Sequence, residues 1–144
     1  MSKYYVYFQP NKKDIKDRVG DCQIRAFCKV FDIDWLTAFD MTIPVCRELQ
    51  TYTIFDCDLK KTQSAMEKFG FYYTGVSNKK GSKRPTVESF AKDHPIGRYI
   101  VSVAHHVVAV VNGKYYDTWD SGKKSLYGYY TCTKEILQSV SKEG

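Results

Sequence analysis

RYIVSVAHHVVAVVNGKYYDTW, residues 98 to 119, is a β-branched and aromatic run broken by a single Asn-Gly pair. Such side chains suit the pleated, half-buried surface of a strand. Asn-Gly between two of these runs is a strong hairpin signal, because both central residues of the tight turn need a positive φ. The sequence therefore predicts a strand over 98–111, a turn at Asn112-Gly113 and a strand over 114–119. A two-residue loop pairs Val111 with Lys114. It sets His106 opposite Trp119 and Val108 opposite Asp117. Because side chains alternate along a strand, these four share one face, with Asp117 diagonal to His106 and within hydrogen-bonding reach. By the same count His105 faces Asp120 on the other side. The hairpin thus offers two His–Asp pairs, and its register alone does not choose between them.

Downstream of the hairpin, residues 125–131 read as a third strand and 133–140 as a closing helix. Upstream, the chain reads as mostly helical. Residues 6–10 suggest a short edge strand ended by Pro10. Over 22–31, Ile24, Phe27, Cys28 and Phe31 recur at helical spacing, and Gly20-Asp21 just ahead supplies a turn and an Asp suited to cap the helix. A second helix starts at Asp34, with Leu36, Phe39 and Met41 or Ile43 on its buried side. A third spans 59–69, turns Ala65, Met66 and Phe69 inward and ends at Gly70. A short one over 86–93 is bounded by Pro85 and Pro95. The expected class is α+β, helices first and an antiparallel sheet after, as one domain over 1–144.

The chain has 144 residues, 43% of them hydrophobic and 26% charged, the composition of a globular domain able to bury a core. No apolar run approaches the roughly 18 residues of a membrane span. MSKYYVYFQPNKK at the N-terminus lacks the apolar core of a signal peptide. A cytoplasmic chain with reduced thiols is therefore expected, and no membrane partner. The five cysteines, at 22, 28, 46, 57 and 132, have no CxxC spacing, so neither a disulfide framework nor a zinc site is expected. The net charge of +6 concentrates in 11–18 and 78–84. These basic loops offer a surface for an acidic partner; they carry no nucleic-acid motif, and nucleic acid is not the expected partner.

One cysteine stands apart. A reactive thiol needs a group that lowers its pKa, a base, and a third group to orient the base. Cys22 at a helix start has the first, from the positive end of the helix dipole. A strand histidine provides the second, and a carboxylate such as Asp117 the third. Arg25 is suited to hold an acidic substrate or to pair with Asp21, and His94 reads as a helix-end residue.

Gly20-Asp21-Cys22 entering a helix, then His106-Val-Val-Ala-Val, then Asp117-Thr118-Trp119 resembles the papain-like cysteine peptidases. Over most of its length the chain is also similar to small uncharacterised phage and gut-bacterial proteins. The papain-like resemblance implies helices bearing the nucleophile packed on a C-terminal antiparallel sheet. It implies Cys22 as nucleophile, His106 (rather than His105) as base, and Asp117 as the orienting group, with Trp119 shielding the His–Asp hydrogen bond. It implies a protein or peptide substrate and no cofactor or metal. Where the family carries a glutamine that donates to the oxyanion hole, this chain has Lys16, leaving Gln9, Asn11 and Gln23 as candidate donors beside the Cys22 N–H. Two other functions fit the same residues. One is an acyltransferase or transglutaminase-like enzyme in which an amine replaces water. The other is a non-enzymatic phage accessory or inhibitor protein that binds an acidic partner through its lysine loops.

Overall fold

The computed structural model describes residues 2–13, 16, 19–77 and 83–133. The chain order is β1 (Tyr5–Tyr7), α1 (Cys22–Phe31), α2 (Trp35–Leu49), a 3-10 turn (Ile54–Asp56), α3 (Leu59–Glu67), β2 (Phe71–Gly75), α4 (Val87–Asp93), β3 (Arg98–Val103), β4 (His106–Val111), β5 (Lys114–Asp117) and β6 (Gly128–Cys132). The class is α+β. The six strands form one sheet in the order β1-β5-β4-β3-β6-β2.

The Asn-Gly hairpin has the register its sequence predicts, with Val111 opposite Lys114 and Ala109 opposite Tyr116. Asn112 at φ 49° and Gly113 at φ 83° supply the two positive φ angles of a type I′ turn. The run over 98–111, however, is two strands rather than one. It folds back at Ala104-His105, where Val103 pairs with His106 and His105 takes φ 53°. Neither Gly nor Asn marks this second turn, so side-chain pattern alone reads straight through it.

The sheet is mixed rather than purely antiparallel, because the edge strand β1 runs parallel to β5. That edge strand is Tyr5–Tyr7, not 6–10; beyond it the Phe8 N–H still donates to the Asp117 carbonyl at 2.9 Å. The helical half also contributes β2, which pairs with β6 at the far edge.

Both faces of the central strands are covered. On one side Ile100, Val107, Ala109 and Tyr130 pack with Phe27, Val30, Phe31 and Met66 from α1 and α3. On the other, Val101, Val103, Val108, Val110 and Tyr115 pack with Val87, Phe90 and Ala91 of α4. Helix α1 lies against β4. The buried stripe of α2 differs from expectation. Ala38, Thr42 and Cys46 are buried at four-residue spacing, whereas Leu36 and Ile43 are exposed. Small residues allow α2 to approach α1 closely, and the larger side chains turn to the flanks. Asp34 caps α2, accepting from the Thr37 N–H at 2.8 Å, and Thr86 and Ser89 form a capping box on α4.

Among the described residues no helix is long and apolar enough to cross a membrane. The expected helix over 133–140, apart from Thr133, and most of the basic segment 78–84 lie outside the described residues.

Candidate active site

Three chain segments meet at one end of the sheet. Cys22 is the first residue of α1, His106 the first of β4 and Asp117 the last of β5. Because β4 and β5 are antiparallel, the start of one lies beside the end of the other. Helix α1 packs on β4, which brings its N-terminus to the same place.

His106 Nε2 lies 2.7 Å from Asp117 Oδ2. That leaves Nδ1 for Cys22, whose thiol interacts with the His106 side chain and the Val107 backbone. Burial pushes the Cys22 thiol up, but those two interactions, with the charges of His106 and Arg25, outweigh it and hold the thiol below its ordinary 9.0. For His106, burial disfavours the imidazolium, and the bonds to Asp117 and Cys22 overcome this, raising it from 6.5 to about 9. Both shifts act in the same sense, favouring a thiolate beside an imidazolium over a neutral pair. Cys28, one and a half turns further along α1, shows the contrast: burial, with Asp21 and Asp34 nearby, raises it to about 12. All five cysteines are free thiols.

Asp117 is 2% exposed and fully engaged. Its Oδ2 also accepts from Ser121 Oγ at 2.7 Å. Its Oδ1 accepts from the Thr118 N–H at 2.8 Å and faces Arg25 Nη2 at 3.4 Å. Arg25 bridges two carboxylates, since its other nitrogen pairs with Asp21. Asp21 therefore does not cap α1 with its side chain; the carboxylate is taken by Arg25 and by Trp35 Nε1 at 2.7 Å. The Arg25–Asp21 pair follows from the sequence. The reach of Arg25 to Asp117, 92 residues away, and the parts of Trp35 and Ser121 do not.

The Trp119 ring lies over His106, centroids 5.2 Å apart and 30° inclined. The alternative His105–Asp120 pair does not form. His105 is exposed at the β3–β4 turn, and Asp120 accepts from the Tyr115 hydroxyl and the Gly122 N–H. His94 stacks on Phe90 at a helix end, away from this site.

The site opens on a cleft with two lobes that share Cys22, Thr53, His105 and His106. One, of about 410 Å³, is walled by Phe55, Asp56, Ser102 and Tyr127. The other, of about 420 Å³, is walled by Val19, Tyr52 and Trp119. Gln23 is not positioned as an oxyanion donor. Its Oε1 accepts from the Ile54 N–H at 2.6 Å and from the Thr53 hydroxyl at 2.8 Å, while its Nε2 points to Cys46 Sγ at 3.8 Å. It clamps the cleft wall instead. Gln9 accepts from the Asn11 N–H, and neither residue lines the cleft. Lys16 is exposed. The backbone N–H of Cys22, free of an intrahelical partner at a helix start, is the remaining candidate donor.

Among the described residues no group of three or more His, Cys, Asp or Glu is arranged to hold a metal ion. The chain matches no family model, no curated protein and no solved structure.

Proposed function

We propose that the chain is a papain-like thiol hydrolase that cleaves a peptide or isopeptide bond through an acyl-thioester on Cys22. The observation that carries this reading is the continuous chain Cys22–His106–Asp117, with its thiol at a helix start and in an open cleft. In the first half-reaction Cys22 Sγ attacks the carbonyl carbon, and its N–H faces the developing oxyanion. The His106 imidazolium gives its proton to the leaving amine as the C–N bond breaks. In the second, His106 takes a proton from water, whose oxygen attacks the thioester. The C–S bond breaks, the acid leaves, and the thiolate–imidazolium pair is restored. Asp117 holds Nε2–H throughout, which keeps Nδ1 toward the thiol. Trp119 covers that hydrogen bond on the cleft side.

The test is alkylation by iodoacetamide near neutral pH, read by intact mass with peptide mapping. Cys22 should react roughly tenfold or more faster than Cys57 and Cys132, which are also partly exposed. Equal rates at the three thiols would remove the basis of the reading. Hydrolysis of a peptide library by the wild type and not by Cys22→Ala then identifies the bond class.

A further inference from the structure

Resting on that reading, we propose that the lobe carrying Asp56 is a subsite for a cationic side chain, so that the substrate presents Lys or Arg beside the bond attacked by Cys22. The first ground is the state of Asp56 itself. It is exposed on the wall of the lobe that also contains Cys22 and His106. Among the described residues its carboxylate has no ion pair or hydrogen bond. Arg84 stacks on the Tyr127 ring at 5.1 Å at the same lobe and makes no ion pair with it.

The second ground is rigidity. Asp56 ends a 3-10 turn whose Ile54 is fully buried, with its N–H on Gln23 Oε1 and its carbonyl accepting from Thr62 Oγ1 at 2.7 Å. The Phe55 ring packs edge-on against Tyr130 at 5.6 Å. A turn clamped from both sides fixes the backbone that carries Asp56 before substrate arrives, which lowers the ordering cost of binding.

The third ground is charge. The chain as a whole is strongly cationic, yet among the described residues no lysine lines either lobe. The site and its walls hold three carboxylates, Asp21, Asp56 and Asp117, and the Cys22 thiolate. Among the described residues the cations against them are Arg25, the His106 imidazolium and, at the rim on the Tyr127 ring, Arg84. Arg25 is already committed to Asp21 and Asp117. Asp21, Asp117 and Cys22 each have Arg25 or His106 as a partner, which leaves Asp56 as the cleft carboxylate without an ion pair among the described residues. The lobe is otherwise lined by apolar Phe55 and Val103 and by hydroxyl-bearing Thr53, Ser102 and Tyr127. This matches a lysine or arginine, whose methylene stem packs on apolar surface while its head meets a carboxylate.

The experiment uses the full chain and three iodoacetamides of matched length: aminobutyl, pentyl and carboxybutyl. They place a positive, neutral or negative end one side chain's length from the alkylated sulfur. Each rate at Cys22 is divided by the same protein's rate with plain iodoacetamide. In the wild type the aminobutyl reagent should exceed the pentyl one by about threefold to fivefold, which is what an exposed ion pair supplies. The carboxybutyl reagent should fall below the pentyl one. Asp56→Asn should bring the three ratios together, Asp56→Glu should restore their order, and Asp56→Lys should invert it. A wild type without cation preference, or an Asp56→Asn variant that keeps it, overturns the assignment. Plain iodoacetamide that fails to single out Cys22 fails the thiol-hydrolase reading instead, so the two failures are distinct.

Discussion

At the residue scale, the group bonded to His106 Nε2 is a buried carboxylate where a neutral amide would also accept the bond. A buried anion is costly unless it is paired and hydrogen-bonded. Asp117 meets that condition with His106, Ser121, the Thr118 N–H and Arg25. Its charge then lies close to the imidazolium and raises His106 toward 9. Asp117→Asn keeps an oxygen for Nε2–H but removes the charge, so the imidazolium should lose its proton at lower pH. Iodoacetate, an anion, reports this directly, since its approach is favoured while the imidazolium beside the attacking thiolate is charged, and the thiolate then displaces iodide. The falling limb of its pH profile at Cys22 should move down from about 9 by about 1 unit or more in Asp117→Asn. An unmoved limb would mean that the carboxylate charge does not set the His106 proton. The His106–Asp117 pair was one of two that the Asn-Gly register offered, and only the papain-like resemblance preferred it to His105 and Asp120. The second partner of Arg25, the Trp35 bond to Asp21 and the Ser121 bond were not legible in the sequence, because each depends on how α1 docks on the sheet. Asp21 illustrates the competition: a residue suited to a local cap is taken over by two tertiary donors.

At the element scale, the site depends on two turns of unequal legibility. Asn112-Gly113 announces itself by composition, whereas Ala104-His105 has a positive φ carried by a histidine. Non-glycine residues in the left-handed region pay sterically, least for Asn, Asp and His and most for β-branched side chains. Substitution at His105 should follow that order. His105→Asn should leave stability close to wild type, and His105→Val should cost roughly 1–2 kcal/mol. Urea midpoints compare the two, and equal midpoints would show that the turn does not hold the left-handed conformation. The same reasoning explains which elements escaped the sequence. β2, the five residues Phe71–Gly75, follows directly on α3 and gains its partner β6 from 53 or more residues downstream. The buried stripe of α2 is set by close approach to α1, which favours small side chains over the larger ones that hydrophobicity would select.

At the scale of the whole molecule, the helix that bears the thiol and the strand that bears the imidazole are packed against each other, so ionisation of the site is coupled to folding. The two groups act in opposite directions. His106 has a folded pKa of about 9 against 6.5 unfolded, so its contribution is full below 6.5 and is lost as pH rises toward 9. Cys22 has a folded pKa below 9.0, so its contribution is present above the unfolded value and is lost as pH falls through the folded one. Between the folded pKa of Cys22 and about pH 8.5 the folded pair therefore holds one proton, on His106, and the unfolded chain also holds one, on Cys22. Equal proton numbers mean that this pair adds almost no pH dependence to stability in that window. Cys22→Ala breaks the balance. His106 keeps the bond and the charge of Asp117, so it stays raised, but the unfolded chain no longer carries the compensating thiol proton. Stability of the variant should fall as pH rises from 7 to 8.5, with a slope of up to about 1.4 kcal/mol per pH unit relative to wild type. Asp117→Asn added to Cys22→Ala should flatten that slope again. Urea unfolding at several pH values across the window measures all three proteins. A Cys22→Ala protein whose midpoint tracks the wild type at every pH would show that Cys22 and His106 do not exchange a proton in the folded chain.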